Sequence, residues 1–303
     1  MLKTNKDKLV CQSVVGEITS PLGGINPYRV SPDGTAAIYP GVGGITYNLR
    51  IGEMAGGLFA DHVEPGVSIS NFTKFAGQDG PNRALNLFSC AGNIAKVISG
   101  EALGKTGRVT GKHGGIEHVL MDFDQAVLEK LAIGDRIMVR AIGTGLRLED
   151  HDDVAVMNLD PGLLDKMKVR EVKGKIEVGV THVIPAALMG SGIGKTHSHS
   201  GDYDIQLLDA KSVARHGLGD IRLGDIVAIK DADNTFGRMY RKGAMTIGVV
   251  VHSDCVISGH GPGVTTIMSN SRGKIVSRHD PRANIARILR IGSHRKARKG
   301  AKK

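Results

Sequence analysis

The sequence predicts a mainly β, α+β fold, with several mostly antiparallel sheets, or a barrel or sandwich, and few helices. Three observations point that way. Glycine supplies 42 of 303 residues, about twice the usual share of about 7%. Trp is absent and aromatic residues make up only 4%. Short Val/Ile-rich runs alternate with clusters of Gly, Pro, Asp and Ser, the pattern of strands between tight turns. A chain of about 300 residues buries about 75% of its unfolded surface, so the core needs no staples. With 41% hydrophobic and 23% charged residues, the composition argues against global disorder, a collagen-like repeat or a membrane bundle.

The elements follow in chain order. Leu9–Thr19 alternates and reads as a strand. Residues 20–66 are dense in Gly and Pro, with short strands at Ala36–Tyr39 and Gly44–Leu49. Pro81–Ser99 reads as the one prominent helix, because Pro81 suits a first turn, an apolar face follows, and Gly100 ends it. Val119–Phe123, Arg136–Ala141 and Val154–Asn158 read as strands, and Gln125–Leu131 and Pro161–Met167 as short helices. Lys168–Val183 is one long Val/Ile alternation. Tyr203–Asp209, Ile226–Lys230 and Thr246–Val251 are further strands. Pro281–Ile291 forms an amphipathic element with Ile285, Ile288, Leu289 and Ile291 inward. A compact body is expected over 1–281, with a subdivision near 100–170, followed by a basic C-terminal element and flexible tail over 282–303. Within it, 292–303 lacks apolar periodicity and is expected to be disordered.

An internal echo raises two related halves. Residues 131–139 (LAIGDRIMV) resemble 221–229 (IRLGDIVAI). Upstream lie His113-Gly114-Gly115 with Asp122, and His199-Ser200-Gly201 with Asp209. A common turn into a strand explains the same pattern without duplication.

The formal charge is +10, from 40 Lys+Arg against 30 Asp+Glu. Nine of those bases lie at or after Arg282, with no acid, so residues 1–281 hold 31 bases against 30 acids and are nearly neutral. The pI near 9.5 therefore describes the C-terminus. That tail attracts nucleic acid weakly and non-specifically, and no base-reading module accompanies it. Three widely spaced cysteines, Cys11, Cys90 and Cys255, argue against a disulfide framework and for a reducing compartment. No signal-peptide pattern and no run of about 20 apolar residues is present. A cytoplasmic protein that avoids membranes is the expectation.

Chemistry concentrates in three polar stretches. His197, His199, Asp202 and Asp204 lie within eight residues of one another, and in extended chain each pair shares a face. His252, Asp254 and His260 occupy a second turn-rich stretch, and Cys255 among them is the one thiol worth testing, although packing is its plainer role. His62 and Glu64 share a face in a third, AspHisValGluProGly. Imidazole with carboxylate suits Zn, Mn, Fe or Ni. The candidate metal ligands are His197, His199, His252, His62 and Glu64. The candidate catalytic groups are Asp202, Asp204 and His260. The competing reading makes them polar turn residues that cap one another. GlySerGlyIleGlyLysThr at 190–196 misses the first P-loop glycine, where Met189 stands, so no nucleotide cofactor is expected. No GxSxG elbow occurs.

Residues 190–206 (GSGIGKTHSHSGDYDIQ), with IGVVVHSD and SGHGPGV downstream, resemble a bacterial family known only as a domain of unknown function (number 4438). The resemblance spans most of residues 1–290 and implies no activity. More distantly, GlyAspTyrAspIle at 201–205 is similar to the Gly-Asn-x-Asp turn of acetamidase/formamidase enzymes, and His252 to Gly263 to their later His- and Gly-rich turn. Where that turn ends Gly-Asp-Gly-Glu, this chain has Gly259-His260-Gly261-Pro262. This second likeness implies metal-associated amide hydrolysis on a β-rich fold. The leading expectation is a metal-assisted hydrolase or lyase of a small, polar, amide-like substrate. The alternatives are a non-enzymatic, homo-oligomeric protein that binds a small ligand, and a nucleic-acid-associated protein acting through its tail.

Overall fold

Side chains on a strand alternate between its two faces, so one apolar face folds inward while the other meets a second layer. In the computed structural model, which describes residues 2–23, 27–75 and 77–295, that rule closes six strands into a ring. Gln12–Ile18 pairs with Arg136–Ala141, which pairs with Ile94–Val97. Thr106–His113, His118–Asp122 and Gly66–Ser70 follow in turn. Glu17 and Ile18 then pair with Ser70 and Ile69 and complete the barrel, in which every pairing is antiparallel. Closure leaves no open edge among these strands. Val67, Ile69, Val97, Val119, Ile137 and Val139 belong to its core and are fully buried.

The second half builds a separate sheet in the order Ala155–Val156, Gly263–Asn270, Met239–Val250, Ile226–Asp233, Val183–Pro185. Only its last pairing is parallel. The short strand Tyr203–Asp204 adds to Gly263–Asn270, with Asp204 opposite Gly263. A third sheet holds Arg170–Val172, Lys175–Val180 and Ile275–His279. The fold is thus mainly β and mostly antiparallel, and the longest α-helix among the described residues has nine residues.

The two halves share a core, in which Leu49, Ile51 and Ala55 join second-half residues, and they also touch where the barrel strand Thr106–His113 meets Gly263–Asn270. Lys112 N donates to Thr265 Oγ1 at 3.0 Å, and that hydroxyl donates to Lys112 O at 3.0 Å. A Cβ on Gly111 would run into Val251, so only glycine permits the approach. This contact sets the end of the barrel hairpin 113–118 against the end of strand Gly263–Asn270.

Several elements depart from the sequence expectation. The helix read over Pro81–Ser99 is Gly80–Phe88, and Ile94–Val97 is a barrel strand. Asn93 ends the overlap: its side chain donates to Ile142 O at 2.8 Å and to Asp160 Oδ2 at 2.8 Å, which turns the chain into the barrel. The alternation over Lys168–Val183 breaks into strands Arg170–Val172, Lys175–Val180 and Val183–Pro185. The strand read over Tyr203–Asp209 stops at Asp204. At the C-terminus, Ile285–Leu289 is helical, with Ile285, Ala286 and Ile291 buried. Gly292–His294 continues as a 3-10 turn and Arg295 pairs with Asp122, so the expected disorder does not begin at 292. Residues 296–303 of the expected tail lie outside the described residues.

The echoed turn is shared in detail. Asp135 Oδ2 accepts from Ala132 N, and Asp225 Oδ2 from Arg222 N, both at 2.9 Å. Each turn launches a strand, Arg136–Ala141 or Ile226–Asp233. The surroundings then differ, since the first strand has two antiparallel neighbours and the second one antiparallel and one parallel.

Candidate metal centre

Paired strands place opposite residues side by side. His113 faces His118 across the barrel hairpin, so both imidazoles reach one carboxylate. His113 donates from Nδ1 to Glu64 Oε1 at 2.5 Å, and His118 from Nδ1 to Glu64 Oε2 at 3.0 Å. Gly43 N donates to Glu64 Oε2 at 2.7 Å, and the Ser68 hydroxyl donates to the same oxygen. Burial opposes the charged carboxylate, but His113 and His118 outweigh it and hold Glu64 well below the usual range. With Nδ1 engaged, His113 has Nε2 left for another partner.

His252 follows the same logic from the opposite half. Its Nδ1 donates to the Ser253 carbonyl at 2.9 Å. Its Nε2 stands 2.8 Å from Asp202 Oδ2 and 3.7 Å from Asp204 Oδ1. Tyr203 turns into the core, so Asp202 and Asp204 share the opposite face, as the alternation predicts. Asp202 Oδ1 accepts from Gly114 N at 2.7 Å. The remaining pair is unusual: His252 Nε2 and Asp202 Oδ2 are both buried, close enough for an ion pair, yet out of line for a hydrogen bond, and each lacks a partner. A Cβ on Gly263 would strike both atoms, so glycine leaves the space they occupy. Donor atoms of His113, Asp202 and His252 all lie within 4.8 Å of one another.

A second group borders the first. His62 Nε2 lies 3.1 Å from His260 Nδ1, and Asp204 Oδ2 lies 3.5 Å and 3.2 Å from those nitrogens. Donor atoms of His62, Cys255 and His260 lie within 4.8 Å of one another. Cys255 donates from Sγ to Asp61 Oδ1 at 2.8 Å, and Asp61 also faces His62 Nδ1 at 3.2 Å and Arg29 at 3.4 Å. His62 takes a left-handed backbone (φ 56), which few residues other than glycine adopt. Bonds from His62 N to Asp254 O at 3.1 Å and from Val63 N to Ser253 Oγ at 2.8 Å hold it there. The rings of His62 and His252 are 5.2 Å apart, and those of His113 and His252 4.2 Å.

The cluster is built for positive charge. Asp61, Glu64, Asp202 and Asp204 are all buried. Burial opposes protonation of His252, but Asp202 and Asp204 overcome it and push the imidazole up to about 10. Burial likewise opposes His62, which Asp204 and Asp61 push up to about 12. Either protons or a cation must sit among these carboxylates. Asp61, His62 and His113 open onto a cleft of about 400 Å³ that Arg29, Tyr39 and Ile116 also line.

The structure thus gathers His62, His252, His260, Asp202 and Asp204 from the residues singled out in the sequence. Glu64 serves instead behind His113: the kink at His62 breaks the strand that was expected to put the two on one face. His197 and His199 stand apart, because residues 196–201 are bends and irregular chain rather than a strand and both histidines are exposed. His197 lines a neighbouring cleft with Lys195 and Glu117. Sequence reading missed His113, His118 and Arg238. The first two flank a Gly-Gly turn, HisGlyGlyIleGluHis, and that framing is the signal a reader could have used. Arg238 gave none. It is buried, donates to Ser200 O at 3.0 Å and to Asp202 O, and sits over the Tyr203 ring at 5.3 Å, so it braces the loop that carries Asp202.

Residues 28–165 match the family described as "Domain of unknown function (DUF4438), N-terminal", and residues 166–289 its C-terminal counterpart. The chain belongs to the DUF4438 family. The two matched parts meet at 165/166, and the cluster draws His62 and His113 from the first and Asp202, Asp204, His252 and His260 from the second. A solved structure described as "Crystal structure of TM1086" is similar at 50% identity, with a TM-score of 0.88, over 94% of this chain and 98% of that one. None of the curated proteins matches the chain. No helix among the described residues is long and apolar enough to cross a membrane.

Proposed function

We propose that this member of the DUF4438 family is a metal-dependent hydrolase of a small polar substrate. The observation that carries the reading is the buried pair His252 Nε2 and Asp202 Oδ2, 2.8 Å apart with no hydrogen bond to either. A buried imidazole nitrogen and a buried carboxylate oxygen this close need a proton or a cation between them, and with Nδ1 bonded to the Ser253 carbonyl a cation can take the Nε2 side. Two donors held about 2.1 Å from one ion at right angles stand about 3 Å apart, close to what this pair shows. His113 completes a donor set of two imidazoles and one carboxylate, which suits Zn, Mn, Fe or Ni. Glu64 behind His113 and the Ser253 carbonyl behind His252 fix both ring orientations, as supporting groups do at metal sites.

An ion held by His113, Asp202 and His252 would supply a water with a pKa lowered to about 7. Asp204 or Asp61 would be the carboxylate placed to take up its proton, and the cleft beside His62 and His113 would admit the substrate. Segments 201–205 and 252–263, which the sequence likens to amide hydrolases, both supply residues to this cluster, and on that resemblance an amide or related acyl bond is the expected target. The test is metal analysis of untagged protein purified without chelator, paired with a panel of small amides and esters. The expected result is bound metal together with hydrolysis that chelator removes and metal restores. Metal below about a tenth of an ion per chain after reconstitution, or turnover indifferent to chelation, overturns the proposal.

A further inference from the structure

The two oxygens of Asp204 face different donors. Oδ1 looks toward His252 Nε2 at 3.7 Å. Oδ2 looks toward His260 Nδ1 at 3.2 Å and His62 Nε2 at 3.5 Å, and these two nitrogens are 3.1 Å apart. The latter three atoms make a compact triangle. Donors about 2.1 Å from a common ion are separated by about 3.0 Å at octahedral angles and about 3.4 Å at tetrahedral ones. All three edges fall near that range. Donor atoms of Cys255, His62 and His260 also lie within 4.8 Å of one another, so the thiol borders this triangle.

We infer that the cluster holds two metal ions, with Asp204 as the carboxylate that bridges them. Resting on the metal-hydrolase reading above, this inference assigns the first ion to His113, His252 and Asp202 and the second to His62, His260 and Cys255. Thiolate with imidazole and carboxylate favours zinc at the second position. Binding there releases the Cys255 thiol proton, which Asp61 Oδ1 already accepts in a hydrogen bond at 2.8 Å and which passes from there to solvent. Asp204 is then committed to both ions, and Asp61, which lines the cleft, is the carboxylate left to take the proton of the attacking water. Two ions about 3.5–4 Å apart would hold the attacking water and polarise the acyl oxygen of one substrate at once. Because His62 and His113 open onto the same cleft, a substrate there meets both positions.

The experiment is metal stoichiometry after reconstitution with zinc, read for the native chain and for His260→Ala. Cobalt substitution then reports the thiolate through its charge-transfer absorption in the native chain and in Cys255→Ser. His260 is partly exposed, so its loss leaves the core intact. The expected result is two ions per native chain, one per His260→Ala chain, and a thiolate band lost in Cys255→Ser. A single ion that survives His260→Ala, with no thiolate band, overturns the two-ion inference and leaves the hydrolase proposal standing. A single ion that disappears in His260→Ala overturns it too, by placing the only ion at the second position. No ion at all overturns both proposals.

Discussion

Two pairs of histidines close in sequence meet opposite fates in this fold. His113 and His118 face each other across a barrel hairpin, buried, with both Nδ1 atoms on the Glu64 carboxylate. His197 and His199 are closer in sequence, yet they sit on bends and irregular chain, exposed. Both Glu64-bound rings are fixed by a strand register and a buried acid. The exposed pair has only its spacing. Spacing proposes a ligand pair, but a rigid backbone and a buried anion behind the rings are what make one.

Five substitutions, in four tests, sharpen or break that contrast. The largest effect is expected from His113→Ala. Loss of a donor should empty the first position, reducing affinity by more than the roughly 10–100-fold cost of removing a supporting group. Competition with a chromophoric chelator measures this, and unchanged affinity would remove His113 from the site. Glu64→Gln comes next. It keeps the shape but removes the charge behind His113, and metal affinity should fall about 10–100-fold. The same titration checks it, and a variant that binds as tightly as native protein would reduce Glu64 to a packing residue.

Arg238→Met tests the brace between the exposed loop and the cluster. It leaves the Ser200 carbonyl, which Arg238 alone is seen to serve, and the Asp202 carbonyl without this donor. A buried group left unsatisfied costs about 1–3 kcal/mol. A urea melt should show that loss, and equal midpoints for the two proteins would contradict the bracing role. The smallest effect belongs to the pair His197→Ala and His199→Ala. Exposed side chains without special contacts change stability by about 0.5 kcal/mol or less. Metal content and melting should stay native, and a lost ion would reverse the contrast drawn here.

The sequence was most legible where one strand face is solvated. Arg136–Ala141 alternates cleanly between buried and more exposed residues, and its expected bounds match. It was least legible where both faces are covered. Gly263–Asn270 is buried at every position and mixes Val and Ile with Thr, Ser and Asn, so no period marks it. Thr106–His113, buried over its last five residues, escaped for the same reason. Ile94–Val97 misled in the other direction, because its apolar residues extend the helical pattern of Gly80–Phe88 by coincidence of spacing. Of the site, the loops rich in His and Asp were visible through clustering. His113 and His118 were not, because the barrel register sets both on Glu64 and brings His113 against His252 from far away in the sequence. Their role depends on a register that no local pattern encodes.

Anomalous diffraction from crystals of zinc-reconstituted protein, recorded on both sides of the zinc absorption edge, tests the central claim most directly. The account predicts a zinc peak bounded by His113, His252 and Asp202, in contact with the two atoms that now lack partners. A peak beside His197 and His199, or a cluster that stays free of zinc while its histidines remain bonded only to carboxylates, would contradict it.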